Sequence, residues 1–250
     1  MDRRSVLILL VLVAPGCRRA PASPPLRVAA ASDLTPAFEQ LGRDFQRASG
    51  AEVTFSFGSS GLLAKQLREG APFDLFAAAN IAFVDEAIGA GACDATTKRV
   101  WARGRIALWS KKGVRALEAL ADERIHRIAV ANPAHAPYGL AAKQALTGAN
   151  LWSALEPKLV LAENVRQALQ FAETGNADAA IVAYSLVLSG DPSAWTLIDD
   201  GLHAPIDQAL VECTRGANRE GGAAFARFLT SAEARGVMER FGFSMPAEPR

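Results

Sequence analysis

The chain lacks an excess of charge of either sign, since 27 lysine and arginine residues stand against 26 aspartate and glutamate residues. A formal net charge of +1 gives no electrostatic reason to expect a polyanionic partner such as nucleic acid. Aromatic residues are also few, at 7%, which argues against recognition of sugars or single-stranded bases through stacked rings. These shortages leave enzymes and binders of small ligands as the candidate classes.

Cysteine and histidine are scarce as well, with three residues of each type. None of them lie at the spacings typical of metal ligands, so we expect no metal site and no cofactor held by such residues. Cys93 and Cys213 are far apart in sequence. A disulfide and a pair of buried free thiols are both compatible with that spacing.

The apolar run near the start of the chain is too short to span a membrane. Val6 to Val13 would extend roughly 12 Å as a helix, against about 30 Å for the hydrocarbon core. Because Arg3 and Arg4 precede it, the run is typical of an export signal. Residues 1–24 are therefore expected to form a signal peptide and tether, which places the mature protein outside the cytoplasm.

Two cleavage sites are compatible with this signal. Small residues directly before Cys17 resemble the box at which bacterial lipoproteins are cut and acylated, although Ala14 stands where leucine is usual. Ordinary cleavage after Ala20-Pro21-Ala22 is the alternative. The first predicts a lipid-anchored protein and the second a free one.

From Leu26 onward, short apolar runs alternate with helical patterns, which is typical of an α/β fold with mostly parallel sheets. Four strand–turn–helix units are predicted, and further strands and helices complete the outline. The predicted strands are 26–30, 53–57, 74–79, 106–109, 128–131, 158–161, 179–183 and 209–213, and the predicted helices are 35–49, 62–69, 138–146, 165–174, 222–229 and 232–241. The pattern indicates two α/β lobes, with the second inserted into the first.

Four of the predicted helices begin directly after a strand, at turns rich in small or hydroxyl residues. The first turn of a helix carries unpaired N–H groups and a partial positive charge, so it attracts anions without a cationic side chain. Ser32 and Ser60 add hydroxyl donors at two of these turns. A serine at a helix start is also an ordinary cap, so spacing alone leaves both interpretations open.

The sequence does not match the common enzyme motifs. The nucleophile elbow needs glycine two residues on either side of a serine, whereas Phe57 stands two residues before Ser59 and Leu62 two residues after Ser60. His135, in a predicted loop, is the best candidate for acid–base catalysis. A lone histidine in a loop is, however, more often a solvated polar residue than a catalytic one.

An ordered set of short stretches carries a family resemblance. These are residues 29–34 (AAASDL), 56–61 (SFGSSG), 70–76 (GAPFDLF), 131–133 (ANP), 136–139 (APYG), 157–160 (PKLV), 163–165 (ENV), 174–177 (TGNA) and 203–206 (HAPI). In this order, the set resembles the periplasmic molybdate-binding proteins of bacterial ABC transporters. The resemblance implies a type II periplasmic binding protein fold, with a ligand cleft between two lobes joined by a two-strand hinge.

The resemblance also implies limits for the lobes and a set of ligand contacts. The first lobe is expected to comprise residues 25–104 plus 206–250, and the second residues 105–205. The family's contacts carry over to the hydroxyls and amides of Ser32 and Ser60, and to the backbone amides of Tyr138 and Val165. The implied protein is a monomeric, non-enzymatic receptor that delivers molybdate, and also tungstate, to a permease in the cytoplasmic membrane.

One family contact does not carry over. Some members place a ligand-contacting tyrosine directly after the strand that here contains Ile181-Val182, but Ala183 occupies that position and Tyr184 follows. An offset of one residue on a strand points the side chain to the opposite face. We therefore do not expect Tyr184 to contact the ligand in the same way.

Two alternatives remain from the residues themselves. One is a receptor for another tetrahedral oxyanion such as sulfate, because donors at helix starts suit any dianion of that shape. The other is a secreted serine hydrolase that uses Ser60 with His135, for which the sequence offers no positioned carboxylate.

Overall fold

The computed structural model of the protein describes residues 24–245. The predicted export signal, Cys17 and both candidate cleavage sites lie outside the described residues. Within residues 24–245, no helix combines the length and the apolar character that crossing a membrane requires.

The described residues form two five-stranded sheets. The strands are β1 (Leu26–Ala31), β2 (Val53–Gly58), β3 (Leu75–Ala78), β4 (Arg99–Gly104), β5 (Ile106–Trp109), β6 (Ile128–Ala131), β7 (Leu159–Ala162), β8 (Ala179–Ala183), β9 (Trp195–Leu197) and β10 (Ile206–Glu212). The first sheet has the order β2-β1-β3-β10-β4 and the second β7-β6-β8-β5-β9. In each sheet the first three strands are parallel to one another, and the fourth is antiparallel to both of its neighbours.

Helices follow most of these strands and cover the sheets. They are α1 (Thr35–Ser49), α2 (Ser60–Arg68), α3 (Ile81–Gly89), α4 (Pro137–Gly148), α5 (Trp152–Leu155), α6 (Val165–Glu173), α7 (Tyr184–Val187), α8 (Arg219–Leu229) and α9 (Ala232–Arg240). Helix α1 shows why the sequence pattern works: Phe38, Leu41 and Phe45 recur at helical spacing, and all three are buried. Gly50 ends it with a φ of 73°, a left-handed conformation that glycine adopts at low cost.

The chain passes between the two sheets twice. It leaves the first sheet at Gly104 and enters the second at Ile106, then returns from Leu197 to Ile206. This arrangement makes two lobes joined by two connecting segments, with the second lobe inserted into the first. The two-lobed type II fold expected from the sequence is confirmed, while the residue limits 25–104 plus 206–250 and 105–205 stay a prediction.

Two longer elements are additional to those predicted. Strand β4 has the sequence RVWARG, in which Arg99, Val100 and Arg103 are exposed because the strand lies at the edge of its sheet. Helix α3 is short and rich in apolar residues, so its pattern does not distinguish it from a strand. Strand β10 also begins three residues earlier than predicted, because its first residues pair with β4.

The start of α4 packs tightly against the end of β6. A Cβ atom at Gly139 would lie 2.1 Å from the carbonyl oxygen of Ala131, well inside van der Waals contact. The absence of a side chain at this position therefore allows the helix to begin directly over the strand end.

Replacing Gly139 with alanine is expected to lower the free energy of unfolding by about 2 kcal/mol, since the added methyl group must displace backbone. The better helix propensity of alanine, about 1 kcal/mol, is too small to offset this. Gly89→Ala is the matched control, because a Cβ there meets nothing within 4 Å. Urea denaturation followed by circular dichroism measures both variants, and equal stability of the two would contradict the packing argument.

Candidate anion-binding site

The site lies where helix starts from both lobes meet. Ser32 begins a 3₁₀ turn directly after β1, and Ser60 is the first residue of α2. From the second lobe, Tyr138 is the second residue of α4 and Val165 the first residue of α6. All four residues are buried and line one cavity, so the structure brings the four sequence-predicted residues together.

The cavity is small, with a volume of about 10 Å³. Its lining is made of Ala31, Ser32, Asp33, Gly58, Ser59, Ser60, Ala79, Ala136, Pro137, Tyr138 and Val165. A space of this size holds about one water molecule, whereas a tetrahedral oxyanion has four oxygens around a central atom. An anion of that kind therefore requires the residues that line the cavity to shift from these positions.

The hydroxyl of Ser60 is oriented by its own lobe. Its oxygen accepts a hydrogen bond of 3.0 Å from the backbone N–H of Ala79. A hydroxyl that accepts in this way still has its hydrogen to donate. Ser60 is therefore fixed in place and offers an O–H donor at the start of α2.

The amide of Val165 is presented by a capped helix. The Asn164 side chain accepts a hydrogen bond of 3.1 Å from the N–H of Gln167 and so caps the helix. The first amides of a helix have no intrahelical acceptor, so with the third amide capped, those of Val165 and Arg166 face the start of the helix. On α4, Pro137 occupies the first position, so Tyr138 supplies the first free N–H.

Electrostatic attraction in the cavity comes from the backbone. Lysine and arginine are absent from its lining, and Asp33 is the one acidic residue among the lining residues. Several helix starts directed at one point present a partial positive charge. The arrangement can hold an anion that only accepts hydrogen bonds, and a net charge near zero does not exclude it.

Asp33 joins the two lobes beside the cavity. Its Oδ2 accepts hydrogen bonds from the Tyr138 hydroxyl at 2.9 Å and from the Gln208 Nε2 at 2.7 Å. Its backbone carbonyl accepts a third, at 2.8 Å, from the Ser185 hydroxyl. Tyr138 and Ser185 belong to helices of the second lobe, so these hydrogen bonds hold the lobes against each other.

Burial raises the pKa of Asp33 from 3.8 to about 7, although the hydrogen bonds from Tyr138 and Gln208 act in the opposite direction. The same surroundings, burial first, raise the pKa of the Tyr138 hydroxyl well above 10. Asp33 Oδ1 has no hydrogen-bond partner among the described residues, so no donor there offsets the effect of burial on the ionised form.

Gln208 and Gly104 support this network, and neither is predicted from the sequence as a site residue. A Cβ atom at Gly104 would lie 2.0 Å from the Tyr138 hydroxyl oxygen, so the tyrosine reaches Asp33 only past a glycine. Gln208 is fully buried in β10, the strand by which the chain returns to the first lobe. A buried glutamine in an apolar strand is the one pattern that marks such a position in the sequence.

A second contact between the lobes involves His135, but not the serine expected in the hydrolase alternative. The Nδ1 of His135 lies 2.8 Å from the hydroxyl oxygen of Ser59, and its carbonyl oxygen accepts a 2.9 Å hydrogen bond from Gly61 N–H. The hydroxyl oxygen of Ser60 instead accepts the amide of Ala79. His135 thus connects loops of opposite lobes and is not paired with Ser60.

Tyr184 begins helix α7 and packs away from the residues that line the cavity. Its ring lies 5.0 Å from that of Trp195 and faces the guanidinium of Arg105 at 6.0 Å. These aromatic contacts account for its side chain without a ligand.

A wider groove of about 670 Å³ lies beside the cavity and shares Ser32 with it. Thr35 and Glu39 of α1 line one side, and Arg166 and Gln170 of α6 line the other. Since α1 belongs to the first lobe and α6 to the second, this groove is the cleft between them and provides access to the buried site.

Comparison with known proteins agrees with this geometry. The two-lobed fold with a site between the lobes defines a solute-binding protein, and residues 26–244 match the model of the bacterial extracellular solute-binding protein family. The chain belongs to this family. Membership places the protein outside the cytoplasm and implies a membrane permease as its partner.

Similar proteins of known name indicate where the chain falls within this family. The molybdate-binding protein ModA of Rhodobacter capsulatus is 32% identical over 86% of this chain and 86% of its own length. ModA of Escherichia coli is 31% identical, with 88% and 89% covered. The periplasmic molybdate-binding protein of Azotobacter vinelandii has a matching structure, with a TM-score of 0.84 at 27% identity over 89% of this chain and all of its own. Within the family, the chain therefore falls in the branch of the ModA molybdate-binding proteins.

The raised pKa of Asp33 predicts a pH dependence of stability. Between pH 4 and 7 the unfolded chain loses this proton while the folded protein keeps it, so the free energy of unfolding falls as pH rises. A rise in pKa from 3.8 to about 7 corresponds to a fall on the order of 4 kcal/mol, complete above pH 7. Urea denaturation across this range, with Asp33→Asn as the comparison, measures it.

The asparagine variant keeps an acceptor for Tyr138 and Gln208 but does not titrate. Subtracting its pH profile from that of the wild type isolates the contribution of Asp33 from those of other acids. A flat difference profile would show that the carboxyl ionises normally in the folded protein.

Proposed function

We propose that this protein is an extracytoplasmic receptor that captures molybdate, and also tungstate, for import by an ABC transporter. The observation that carries the proposal is the convergence of Ser32, Ser60, Tyr138 and Val165, from four helix starts in two lobes, on one cavity. The names of its relatives, molybdate-binding proteins at about 30% identity over most of the chain, support the choice of ligand.

The chemistry of the site suits this anion. Molybdate at neutral pH carries two negative charges and no proton, so it only accepts hydrogen bonds. The proposed contacts are O–H and N–H donors at Ser32 and Ser60 and N–H donors at Tyr138 and Val165. A protonated phosphate would need an acceptor for its proton, whereas all the contacts proposed here are donors.

Capture follows from having donors on both lobes. In an open form each lobe offers half of the hydrogen bonds, and the closed form offers all of them around one anion. The ligand therefore shifts the population toward the closed form by its differential affinity. The hydrogen bonds of Asp33 and the contact between Ser59 and His135 stabilise the same closed arrangement.

The receptor is proposed to act as a monomer without catalytic activity. A Ser60–His135 dyad, which the hydrolase alternative requires, is not formed, since Ser60 is bonded to Ala79 and His135 to Ser59. A receptor for sulfate is the remaining alternative, because sulfate has the same charge and shape and differs mainly in size.

Isothermal titration with molybdate, tungstate, sulfate and phosphate tests the ligand. Molybdate and tungstate are expected to bind at least 100-fold more tightly than sulfate, and phosphate weakly. Ser60→Ala is expected to weaken molybdate binding by roughly 10- to 100-fold, since a hydrogen bond to a charged group contributes about 1.5–3 kcal/mol. Ser153→Ala, at an exposed position of α5, is the matched control and should bind like the wild type.

Two outcomes would overturn the assignment. If sulfate bound as tightly as molybdate, the protein would be a general oxyanion receptor and not a molybdate receptor. Heat release with none of the four anions, from a protein whose circular dichroism shows it folded, would remove the receptor function itself.

The mature chain is proposed to start at an acylated Cys17, which would attach the receptor to a membrane. Mass spectrometry of the protein purified from membranes checks this, because the N-terminal peptide would then begin at Cys17 and carry a lipid. A soluble protein whose first residue is Ser23 would show that cleavage after Ala22 is used instead.

A further inference from the structure

Cys93 and Cys213 lie opposite each other in the first lobe. Cys93 follows α3, and Cys213 directly follows β10, yet the two residues form an antiparallel bridge of their own. Their sulfur atoms are 3.1 Å apart, and both residues are buried. The fold thus places side by side two cysteines that are 120 positions apart in sequence.

The backbone around this pair has the geometry that suits a disulfide. The N–H of Asp94 donates to Glu212 and the N–H of Thr214 donates to Ala92, each at 2.9 Å. These hydrogen bonds flank the cysteines and do not join them, so the cysteines form a non-hydrogen-bonded pair. In such pairs the Cα atoms lie about 4.5 Å apart and the side chains approach most closely, within the range that disulfides span.

The compartment favours oxidation. Members of this family act outside the cytoplasm, where cysteines that the fold brings together are oxidised and stay so. Within the described residues, Cys93 and Cys213 are the two cysteines, so each has one available partner in that part of the chain.

We propose that Cys93 and Cys213 form a disulfide in the exported protein. An exchange catalyst carrying a reactive disulfide is the oxidant. One cysteine thiolate attacks a sulfur of that disulfide, and the second then displaces the catalyst from the mixed disulfide. The two protein thiols lose two protons and two electrons, one S–S bond forms, and the catalyst's disulfide is reduced to two thiols.

The bond forms while the chain is folding. In the folded protein neither sulfur is accessible to a catalyst, and the contact with Cys93, together with burial, raises the pKa of the Cys213 thiol. A thiol held in its protonated form is a poor nucleophile. Once made, the disulfide is equally shielded from reductants, so it is a permanent link and not a switch.

The link closes a long loop. The segment from Cys93 to Cys213 contains β4, every strand of the second sheet, and β10. The disulfide therefore links the segment that leads into β4 to the segment that follows β10, at the ends of these strands that lie away from the second lobe. A cross-link across so long a loop restricts the unfolded chain strongly and leaves the anion site unchanged.

Peptide mapping of the full chain, exported to a bacterial periplasm and thiol-blocked at lysis, tests the proposal. A non-reduced digest is expected to contain one cross-linked species joining the peptides of Cys93 and Cys213. The same sequence made in a reducing cytoplasm is the matched control, with both peptides blocked as free thiols. Recovery of both peptides as blocked free thiols from the periplasmic protein would overturn the proposal.

Thermal unfolding provides the second measurement. The oxidised protein is expected to have a Tm about 10 °C above that of the reduced one, with molybdate affinity the same for both. The Tm of the Cys93→Ala/Cys213→Ala variant should be the same whether the protein is made in the periplasm or in the cytoplasm. A cross-linked protein whose Tm equals that of the reduced form would overturn the stabilising role.

Discussion

The buried carboxyl group of Asp33 is the constraint around which the junction of the two lobes is built. A buried polar group costs free energy unless its hydrogen bonds are satisfied, and the side chain and carbonyl of Asp33 obtain two of their three side-chain donors from the other lobe. Tyr138 and Ser185 supply them from the second lobe, and Gln208 supplies one from the returning strand. Gly104 leaves the space through which Tyr138 reaches.

The same residues position the candidate ligand donors. Ser32 immediately precedes Asp33, and Tyr138 donates its hydroxyl to Asp33 while its backbone amide lies in the first turn of α4. An arrangement that holds the lobes together therefore also brings the donors of both lobes to one cavity. The balanced charge of the chain agrees with this design, because the attraction for an anion comes from helix starts and hydroxyls and adds no lysine or arginine.

Local patterns predicted the parts of the fold in which one face is buried against one neighbour. Helix α1 follows the spacing of Phe38, Leu41 and Phe45, and α6 begins after Asn164, a residue type that favours N-caps and here accepts a hydrogen bond from Gln167. Strand β4 did not follow such a pattern, since an edge strand with exposed arginines resembles a loop in sequence. The four site residues were named through family resemblance, because serines and backbone amides at helix starts are too common to identify a site alone.

The class of fold, the strand–turn–helix units and the donors at their turns can be read from the amino-acid sequence, since they depend on residues close together in the chain. Which distant residues meet becomes clear only from the folded structure. It paired His135 with Ser59 instead of Ser60, placed Tyr184 against Trp195, joined Asp33 to Gln208, and brought Cys93 to Cys213. The physical reason is that these contacts depend on how strands cross and lobes close, and no local spacing encodes either.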